Sequence, residues 1–396
     1  MPTLSTRIQG LTEGGDDGWG LFLKARQMVA AGIPVMELTI GEHDVRTDPA
    51  ILDEMHRAAR SGHTGYAAVP GTRALREAVA ARLSAGSGLD YTPDNVLITP
   101  GGQAALFAAH NAACDPGDVA LLIDPYYATY PGTIRGAGAV PRPVQARPED
   151  GFQPRAADLR AASDGARSLL INSPNNPTGA VYTEATLQGI AAVAREADLW
   201  VISDEVYDSQ VWSGQHRPFA ALPDMFARTL TVGSLSKSHA MTGSRLGWIA
   251  GPEAAIADLV NLATHTTYGV PGFIQDAGLF ALQQGAQVER AVAAPFLRRR
   301  AMVLERLAGQ QVLRAIPPEG AMYVMLDVRA TGMSGEAFGE ALLAEEHVAV
   351  MPGESFGQAA AGHIRVALTL PDEVFATALD RLFAFAARHA GAQALS

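Results

Sequence analysis

The stretch TLTVGSLSKSHAMTGSRLGWIA (229–250) joins two apolar segments through a polar loop. Its ends, TLTVG (229–233) and LGWIA (246–250), have the near-continuous apolar character of strands that are buried on both faces. Four segments upstream share this character: VLIT (96–99), VALLI (119–123), SLLIN (168–172) and LWVIS (199–203). Helical stretches such as GGQAALFAAHNAA separate most of them. This alternation predicts the α/β class, with a mostly parallel central sheet flanked by helices.

The pattern changes after about residue 285, where a long Arg/Ala-rich helix begins. Three shorter apolar segments follow it, with helices between and after them: YVMLDV (323–328), VAVM (348–351) and HIRVAL (363–368). Such a mixture predicts a smaller α+β domain. We therefore expect three parts: an N-terminal segment (1–45) that packs with the small domain, a large domain (46–285) and the small C-terminal domain (286–396).

Composition narrows the class of protein. The 396 residues are 48% hydrophobic and 18% charged, as in a well-packed globular protein. The formal net charge of -11, without a basic run, argues against nucleic acid or an anionic membrane surface as a partner. Cys114 is the one cysteine, so the chain has no intrachain disulfide and no cysteine metal site, and we predict no metal. Without an apolar leader or a membrane-length apolar run, we expect a cytoplasmic protein.

Polar groups follow the carboxyl ends of four predicted strands. They are Gly102 and Gln103 after VLIT, Asn176 after SLLIN, Asp204 and Tyr207 after LWVIS, and Ser234, Ser236, Lys237 and Arg245 after TLTVG. Each of these groups, taken alone, is compatible with an ordinary turn or a solvated surface. Open α/β sheets, however, bind ligands outside the carboxyl ends of their strands, so together the groups predict one site.

The chemistry of these groups matches the needs of pyridoxal 5'-phosphate (PLP). Its aldehyde needs a lysine amine. Its ring nitrogen needs a carboxylate that stabilises the protonated form. Its phosphate needs hydroxyls, a guanidinium and the backbone N–H groups at the N-terminus of a helix.

The motifs SPNNPTG (173–179), SDEVY (203–207) and SLSKSHAMTGSRLGW (234–248) resemble the cofactor site of the class I/II aminotransferases, which are PLP enzymes of fold type I. The resemblance runs from IGEHD (40–44) to the arginine of HIRVAL. It implies a homodimer with shared active sites. It also implies a ping-pong reaction that moves an amino group from an L-amino acid to a 2-oxo acid.

The resemblance assigns roles to the residues that match the motifs. Lys237 is implied to be the Schiff-base lysine and the base that moves the substrate proton, with Asp204 beside the ring nitrogen. Asn176 and Tyr207 are implied to bind the ring oxygen. The remaining implied cofactor ligands are Gly102, Gln103, Ser234, Ser236 and Arg245 at the phosphate, Tyr127 stacked on the ring, and Tyr66 reaching the phosphate of the neighbouring subunit.

Gly41, Asn176 and Arg365 are implied to bind the substrate, with Arg365 holding the α-carboxylate. Two stretches of the chain depart from the family pattern. The chain has Gly41-Glu42-His43-Asp44-Val45 where the family often has G-E-P-D-F, and Ser244 where it often has tryptophan. Neither departure removes a group that PLP chemistry needs, and we give His43 no catalytic role.

The side chain of the donor is predicted to be neutral or basic. Relatives that use aspartate need a cation for the second carboxylate, but THTTYGVPG (264–272) contains none, and Gln103 stands where some relatives have lysine. LWVISDEVY, SLSKSHAMTG, YGVPGFIQDA and AAGHIR more specifically resemble arginine–pyruvate aminotransferases. A guanidinium would need a carboxylate, and Glu13, Asp16 and Asp17 are candidates unless they form a solvated acidic loop.

Two alternative functions remain open at this point. The same lysine and carboxylate could serve a PLP-dependent carbon–sulfur β-lyase, which would release ammonia without an acceptor. A PLP-binding sensor is a second alternative. Such regulators normally carry a DNA-binding module, and no basic segment precedes residue 20.

Overall fold

The computed structural model describes residues 2–12 and 18–393, so Glu13, Asp16 and Asp17 lie outside the described residues. The helices there are α1 (Thr6–Gln9), α2 (Gly20–Ala30), α3 (Pro49–Arg60), α4 (Arg73–Ser87), α5 (Gly102–Ala113), α6 (Tyr130–Gly136), α7 (Ala156–Ala162), α8 (Glu184–Glu196), α9 (Leu235–Ser238), α10 (Glu253–Thr264), α11 (Gly272–Gln283), α12 (Ala286–Ala308), α13 (Gly335–Glu346) and α14 (Asp372–Gln393). In this described part of the chain, no helix combines the length and the apolar character needed to cross a membrane.

The strands are β1 (Met36–Glu37), β2 (Val96–Thr99), β3 (Val119–Asp124), β4 (Val140–Gln145), β5 (Ala166–Asn172), β6 (Trp200–Asp204), β7 (Thr229–Ser234), β8 (Gly247–Ala250), β9 (Tyr323–Asp327), β10 (Val348–Ala349), β11 (Met351–Pro352) and β12 (His363–Ala367). Seven of them form the central sheet, in the order β2-β8-β7-β6-β5-β3-β4. Neighbours from β4 through β7 are parallel, whereas β8 runs antiparallel to both β2 and β7. The predicted α/β class and mostly parallel sheet are confirmed.

Two hydrophobic cores cover the faces of this sheet. Leu170 packs with α5 and α10 on one face, whereas its neighbour Leu169 packs with α7 and α8 on the other. Successive residues of a strand point to opposite faces, so a strand covered on both sides needs apolar residues at nearly every position. This requirement explains the continuous apolar runs in the sequence.

Strand β4 was absent from the sequence prediction. It reads VPRPVQ, and most of its residues are exposed or only partly buried. Proline cannot donate a backbone hydrogen bond to a neighbouring strand and is therefore tolerated mainly on edge strands. Because β4 lies at the edge of the sheet, its two prolines and polar residues hide it from a search for apolar runs.

The C-terminal part of the chain builds a separate core. Strands β11, β12 and β9 form an antiparallel sheet, and β10 pairs in parallel with β1 of the N-terminal segment. Helix α2 packs its Leu21 and Ala25 against Leu343 and Ala349 of this part. The predicted segment VAVM is therefore split between two sheets. The residue limits of the three domains stay a prediction.

Candidate active site

A cavity of ≈ 470 Å³ lies at the carboxyl ends of the central strands. It is lined by every site residue predicted from the sequence except Tyr66: Gly41, Gly102, Gln103, Tyr127, Asn176, Asp204, Tyr207, Ser234, Ser236, Lys237, Arg245 and Arg365. Residues 41 and 365 come from the parts of the chain outside the central sheet. The cavity therefore lies between the large sheet and the smaller C-terminal part.

Tyr66 lies outside this cavity. Its side chain is 92% exposed, and its ring packs edge to face on Tyr268 with 5.3 Å between the centroids. The resemblance implied that Tyr66 acts in the neighbouring subunit, which a single chain does not test.

Lys237 lies in the short helix α9, directly after β7. Its Nζ donates a hydrogen bond to the carbonyl oxygen of Gly41 over 2.5 Å. His43 Nε2 donates to the backbone oxygen of Lys237 over 2.9 Å. Burial, and to a lesser degree the charge of Lys237, lowers the pKa of His43 to about 4, so this imidazole is neutral near pH 7. His43 thus anchors the backbone of Lys237.

Asp204 ends β6, and only 4% of it is exposed. Its Oδ2 accepts a hydrogen bond of 2.6 Å from the hydroxyl of Tyr130, and its Oδ1 accepts one of 3.3 Å from the backbone N–H of Val206. Burial raises the pKa of Asp204 to about 6, although these hydrogen bonds oppose the rise. A carboxylate in such a place is stabilised by a cation brought next to it.

The glycines at the start of α5 form a cradle beside Arg245. Gly101 caps this helix with φ 82, a conformation that favours glycine. A Cβ at Gly101 would lie 2.3 Å from Arg245 Nη2, so the guanidinium could not approach the backbone past a larger residue. The hydroxyls of Ser234 and Ser236 are 2.9 Å apart on the same side of the cavity. A helix N-terminus, two hydroxyls and a guanidinium suit a phosphate dianion.

Arg365 lies on β12 and is 2% exposed. Its Nη1 donates to Asn176 Oδ1 over 2.9 Å, and its Nη2 donates to the carbonyl oxygen of Thr39. Within the described residues, its Nε has no hydrogen-bond partner and no carboxylate forms an ion pair with it. Burial lowers the pKa of Arg365, because removal from water disfavours the charged form of the guanidinium. A buried guanidinium of this kind suits the carboxylate of a ligand.

Sequence reasoning missed several residues of the cavity wall: Trp19, Ile40, Glu42, Leu106, Tyr130, Asn172, Val206, Thr242, Gly243 and Tyr323. Ile40, Glu42 and Val206 adjoin a predicted site residue along the chain, and that proximity could have indicated them. Tyr130, three residues after Tyr127, could have been found from helical spacing. Trp19 and Tyr323 stand apart from every recognised motif.

Comparisons with known proteins agree with this geometry. Residues 33–382 match the family model "Aminotransferase class I and II". The chain belongs to the class I and II aminotransferases. It is 40% identical over 384 residues to the arginine–pyruvate transaminase AruH of Pseudomonas aeruginosa, covering 97% of this chain and 98% of the relative. It is 36% identical to the aspartate/prephenate aminotransferase of Thermus thermophilus, covering 96% and 98%.

Solved structures show the same fold for this aminotransferase. The aspartate aminotransferase from Thermus thermophilus with maleate matches with a TM-score of 0.91 at 34% identity, covering 97% of this chain and 100% of that one. The Thermotoga maritima aspartate aminotransferase matches with a TM-score of 0.90 at 32% identity, covering 96% and 99%. The chain is therefore a fold type I transaminase, and its cofactor is PLP, as in the family.

The residues present fit that cofactor. The cavity holds a lysine amine, a buried carboxylate whose pKa burial has raised, and a glycine cradle beside an arginine. A protonated ring nitrogen would supply the cation that Asp204 lacks. In the described residues, the unpartnered Nε of Arg365 can donate to a carboxylate.

Proposed function

We propose that this aminotransferase moves the amino group of an L-amino acid with a neutral or basic side chain to a 2-oxo acid such as pyruvate, by a ping-pong mechanism. The charge of the cavity carries this proposal. In the described part of its wall, the cations are Lys237, Arg245 and Arg365, and we assign each of them to the cofactor or to the α-carboxylate. A second carboxylate on the donor would then have no cationic partner there. The similarity to an arginine–pyruvate transaminase supports a basic donor.

Lys237, Asp204 and Tyr207 are the catalytic residues that we propose. PLP supplies an electron sink for the negative charge that develops on the substrate Cα. Lys237 would hold the cofactor covalently through its amine, and the same amine would serve as the base for the proton of the substrate Cα. Asp204 holds the proton on the ring nitrogen, because its buried charge is stabilised by that cation.

The other predicted residues bind and orient. We propose that Asn176 and Tyr207 donate hydrogen bonds to the ring oxygen, and that Tyr127 stacks on the ring. Gly102, Gln103, Ser234, Ser236 and Arg245 would hold the phosphate. Arg365 and Gly41 would hold the α-carboxylate, which every donor and acceptor shares, so discrimination between donors falls to the rest of the wall.

The donor is tested by the half-reaction with single amino acids. We expect arginine, leucine and alanine to convert the cofactor to its amine form faster than aspartate. An unpaired buried carboxylate costs roughly 1–3 kcal/mol, or about 5- to 150-fold in rate. The measurement is the absorbance change after mixing the holoenzyme with each amino acid, without an acceptor.

Gln103→Lys provides the matched variant for this test. A cation at residue 103 should raise the rate with aspartate relative to leucine. Fast conversion by aspartate and none by the other donors would contradict the proposed substrate class. Release of ammonia and a 2-oxo acid without an acceptor would instead indicate a β-lyase.

We also propose that the enzyme is a homodimer with shared active sites, and that Tyr66 acts in trans. Its exposed phenol is free to reach a neighbouring subunit. Mixing Tyr66→Phe subunits with Lys237→Ala subunits should restore roughly a quarter of wild-type activity, since half of the dimers are hybrids with one native site. The measurement is activity after subunit exchange, beside sedimentation of the wild-type protein. An active monomer would disprove the shared site.

A further inference from the structure

Tyr323, a cavity residue that the sequence did not indicate, contacts the proposed site residues Arg365 and Tyr207. It begins β9 and is 2% exposed. In the antiparallel register, Tyr323 lies opposite Ala367, and Met325 lies opposite Arg365. Tyr323 is therefore the diagonal neighbour of Arg365 on the same face of the small sheet.

The ring of Tyr323 is one half of an aromatic clamp on Arg365. The Cζ atom of Arg365 lies 4.4 Å from the ring centroid of Tyr323 and 4.4 Å from that of Phe356. A guanidinium stacked on aromatic rings keeps its N–H groups free in its own plane. The clamp therefore stabilises the buried charge and leaves the edge of the guanidinium for a carboxylate.

The hydroxyl of Tyr323 reaches the other side of the site. It lies 3.0 Å from the hydroxyl of Tyr207, and the two rings meet edge to face with centroids 6.0 Å apart. The backbone at Gly41 leaves room for this hydroxyl, because a Cβ there would lie 1.8 Å from Tyr323 Oη. One side chain thus contacts the proposed α-carboxylate ligand, the proposed ring-oxygen ligand and the glycine that accepts from Lys237.

We propose that Tyr323 is a positioning residue that holds Arg365 in the geometry for the α-carboxylate and, through its hydroxyl, strengthens the hydrogen bond that Tyr207 donates. This inference rests on the proposed roles of Arg365 and Tyr207. When Tyr207 donates to the ring oxygen, its own oxygen accepts from Tyr323. A phenol that accepts a hydrogen bond is a stronger donor, because neighbouring hydrogen bonds polarise each other.

Two substitutions separate the ring from the hydroxyl. Tyr323→Phe keeps the clamp on Arg365 and removes the link to Tyr207. Tyr323→Leu removes both. Tyr182→Phe is the matched control, because the Tyr182 hydroxyl is also buried but lies outside the cavity and has no partner in the described residues.

The first readout is the pH titration of the cofactor's absorption in the resting holoenzyme. In Tyr323→Phe, the midpoint of this titration should rise by roughly half a pH unit. The hydrogen bond from Tyr207 is then weaker and stabilises the deprotonated ring oxygen of the cofactor less than in the wild type. The control Tyr182→Phe should titrate like the wild type.

The second readout is the binding of 2-methylalanine, which has an α-carboxylate but no Cα proton to lose. Its dissociation constant should rise roughly 5- to 30-fold in Tyr323→Leu and less than about threefold in Tyr323→Phe. For reacting donors, Tyr323→Leu should raise KM for arginine and leucine alike, whereas Tyr323→Phe should mainly lower kcat.

Arg365→Lys and Tyr207→Phe distinguish the possible failures. If these two variants are impaired while Tyr323→Phe titrates like wild type and Tyr323→Leu binds 2-methylalanine normally, Tyr323 only fills space and the inference is wrong. If Arg365→Lys and Tyr207→Phe also behave like wild type, the proposed roles of those two residues fail, and the inference fails with them. Should Tyr323→Leu not fold, the titration of Tyr323→Phe decides alone.

Discussion

Lys237→Ala is expected to lose turnover by at least about 10⁴-fold, because it removes the amine that we propose binds the cofactor and moves the Cα proton. The variant should still bind PLP through the phosphate cradle and Asp204, but without a covalent bond. The measurements are the rate of the half-reaction and mass spectrometry after borohydride reduction, which should attach the cofactor to residue 237 of the wild-type protein.

The lysine content of the chain provides a matched control for this test. The sequence contains two lysines, Lys24 and Lys237. Lys24 is exposed on α2 and does not line the cavity, so Lys24→Ala should keep both the turnover and the covalent cofactor. Reduction that labels residue 24, or ordinary transaminase activity in Lys237→Ala, would contradict the assignment.

Asp204→Asn is expected to slow removal of the Cα proton by roughly 10²–10⁴-fold, while PLP still binds. Breaking a buried charge pair by removing one partner costs about 3–5 kcal/mol, and each 1.36 kcal/mol is a factor of ten in rate. Asparagine keeps the size and polarity of the side chain but not the charge that we propose holds the ring nitrogen protonated. Loss of the Cα proton from a deuterium-labelled donor measures the step, and equal rates in the two proteins would remove Asp204 from this role.

The same variant reports the electrostatic state of Asp204 without any turnover. In the protein freed of cofactor, burial raises the pKa of Asp204 from its ordinary 3.8 to about 6, so the folded state favours the protonated carboxyl. This contribution to stability is complete below about pH 4 and is lost as the pH rises through 6. Across the whole pH range, burial of Asp204 changes the free energy of unfolding by about 3 kcal/mol, and roughly half of this change falls between pH 5 and pH 8.

Unfolding of the cofactor-free protein measures this difference. Between roughly pH 5 and pH 8, wild type should lose on the order of 1 kcal/mol of stability relative to Asp204→Asn. Saturating PLP should reduce the difference, since a protonated ring nitrogen lowers the pKa of the carboxyl. Parallel pH profiles for the two cofactor-free proteins would show that Asp204 is not destabilised by burial.

Much of the central fold could be predicted because its signals are local. The strands around Leu169 and Leu170 need apolar residues on both faces, and consecutive apolar residues in the sequence meet this requirement. Strand β4 was not predicted, because an edge strand needs no continuous apolar run and can contain prolines. The segment VAVM was predicted as one strand, although its two halves pair with different sheets.

The candidate site also has features that the sequence predicts and features that it does not. Asp204 and Lys237 could be predicted because each follows a strand at the carboxyl edge of the sheet. The hydroxyl of Tyr130 on Asp204, by contrast, joins residues 74 positions apart. The sequence shows that residue 130 is a tyrosine, but the packing of α6 on the sheet decides that its hydroxyl contacts Asp204.

The sequence by itself determined the parallel sheet, the strand-end motifs that resemble a PLP site and the family of this protein, because strand patterns and strand-end motifs are contiguous in the chain. Only the tertiary structure decided that Tyr323 and Phe356 clamp Arg365, and that Gly41 meets Lys237 from 196 residues away. The clamp depends on how separate segments of the C-terminal part pack on one another, and the contact of Gly41 with Lys237 depends on how the N-terminal segment packs against the large sheet. Burial of distant surfaces against each other sets that packing, and no local pattern of residues encodes it.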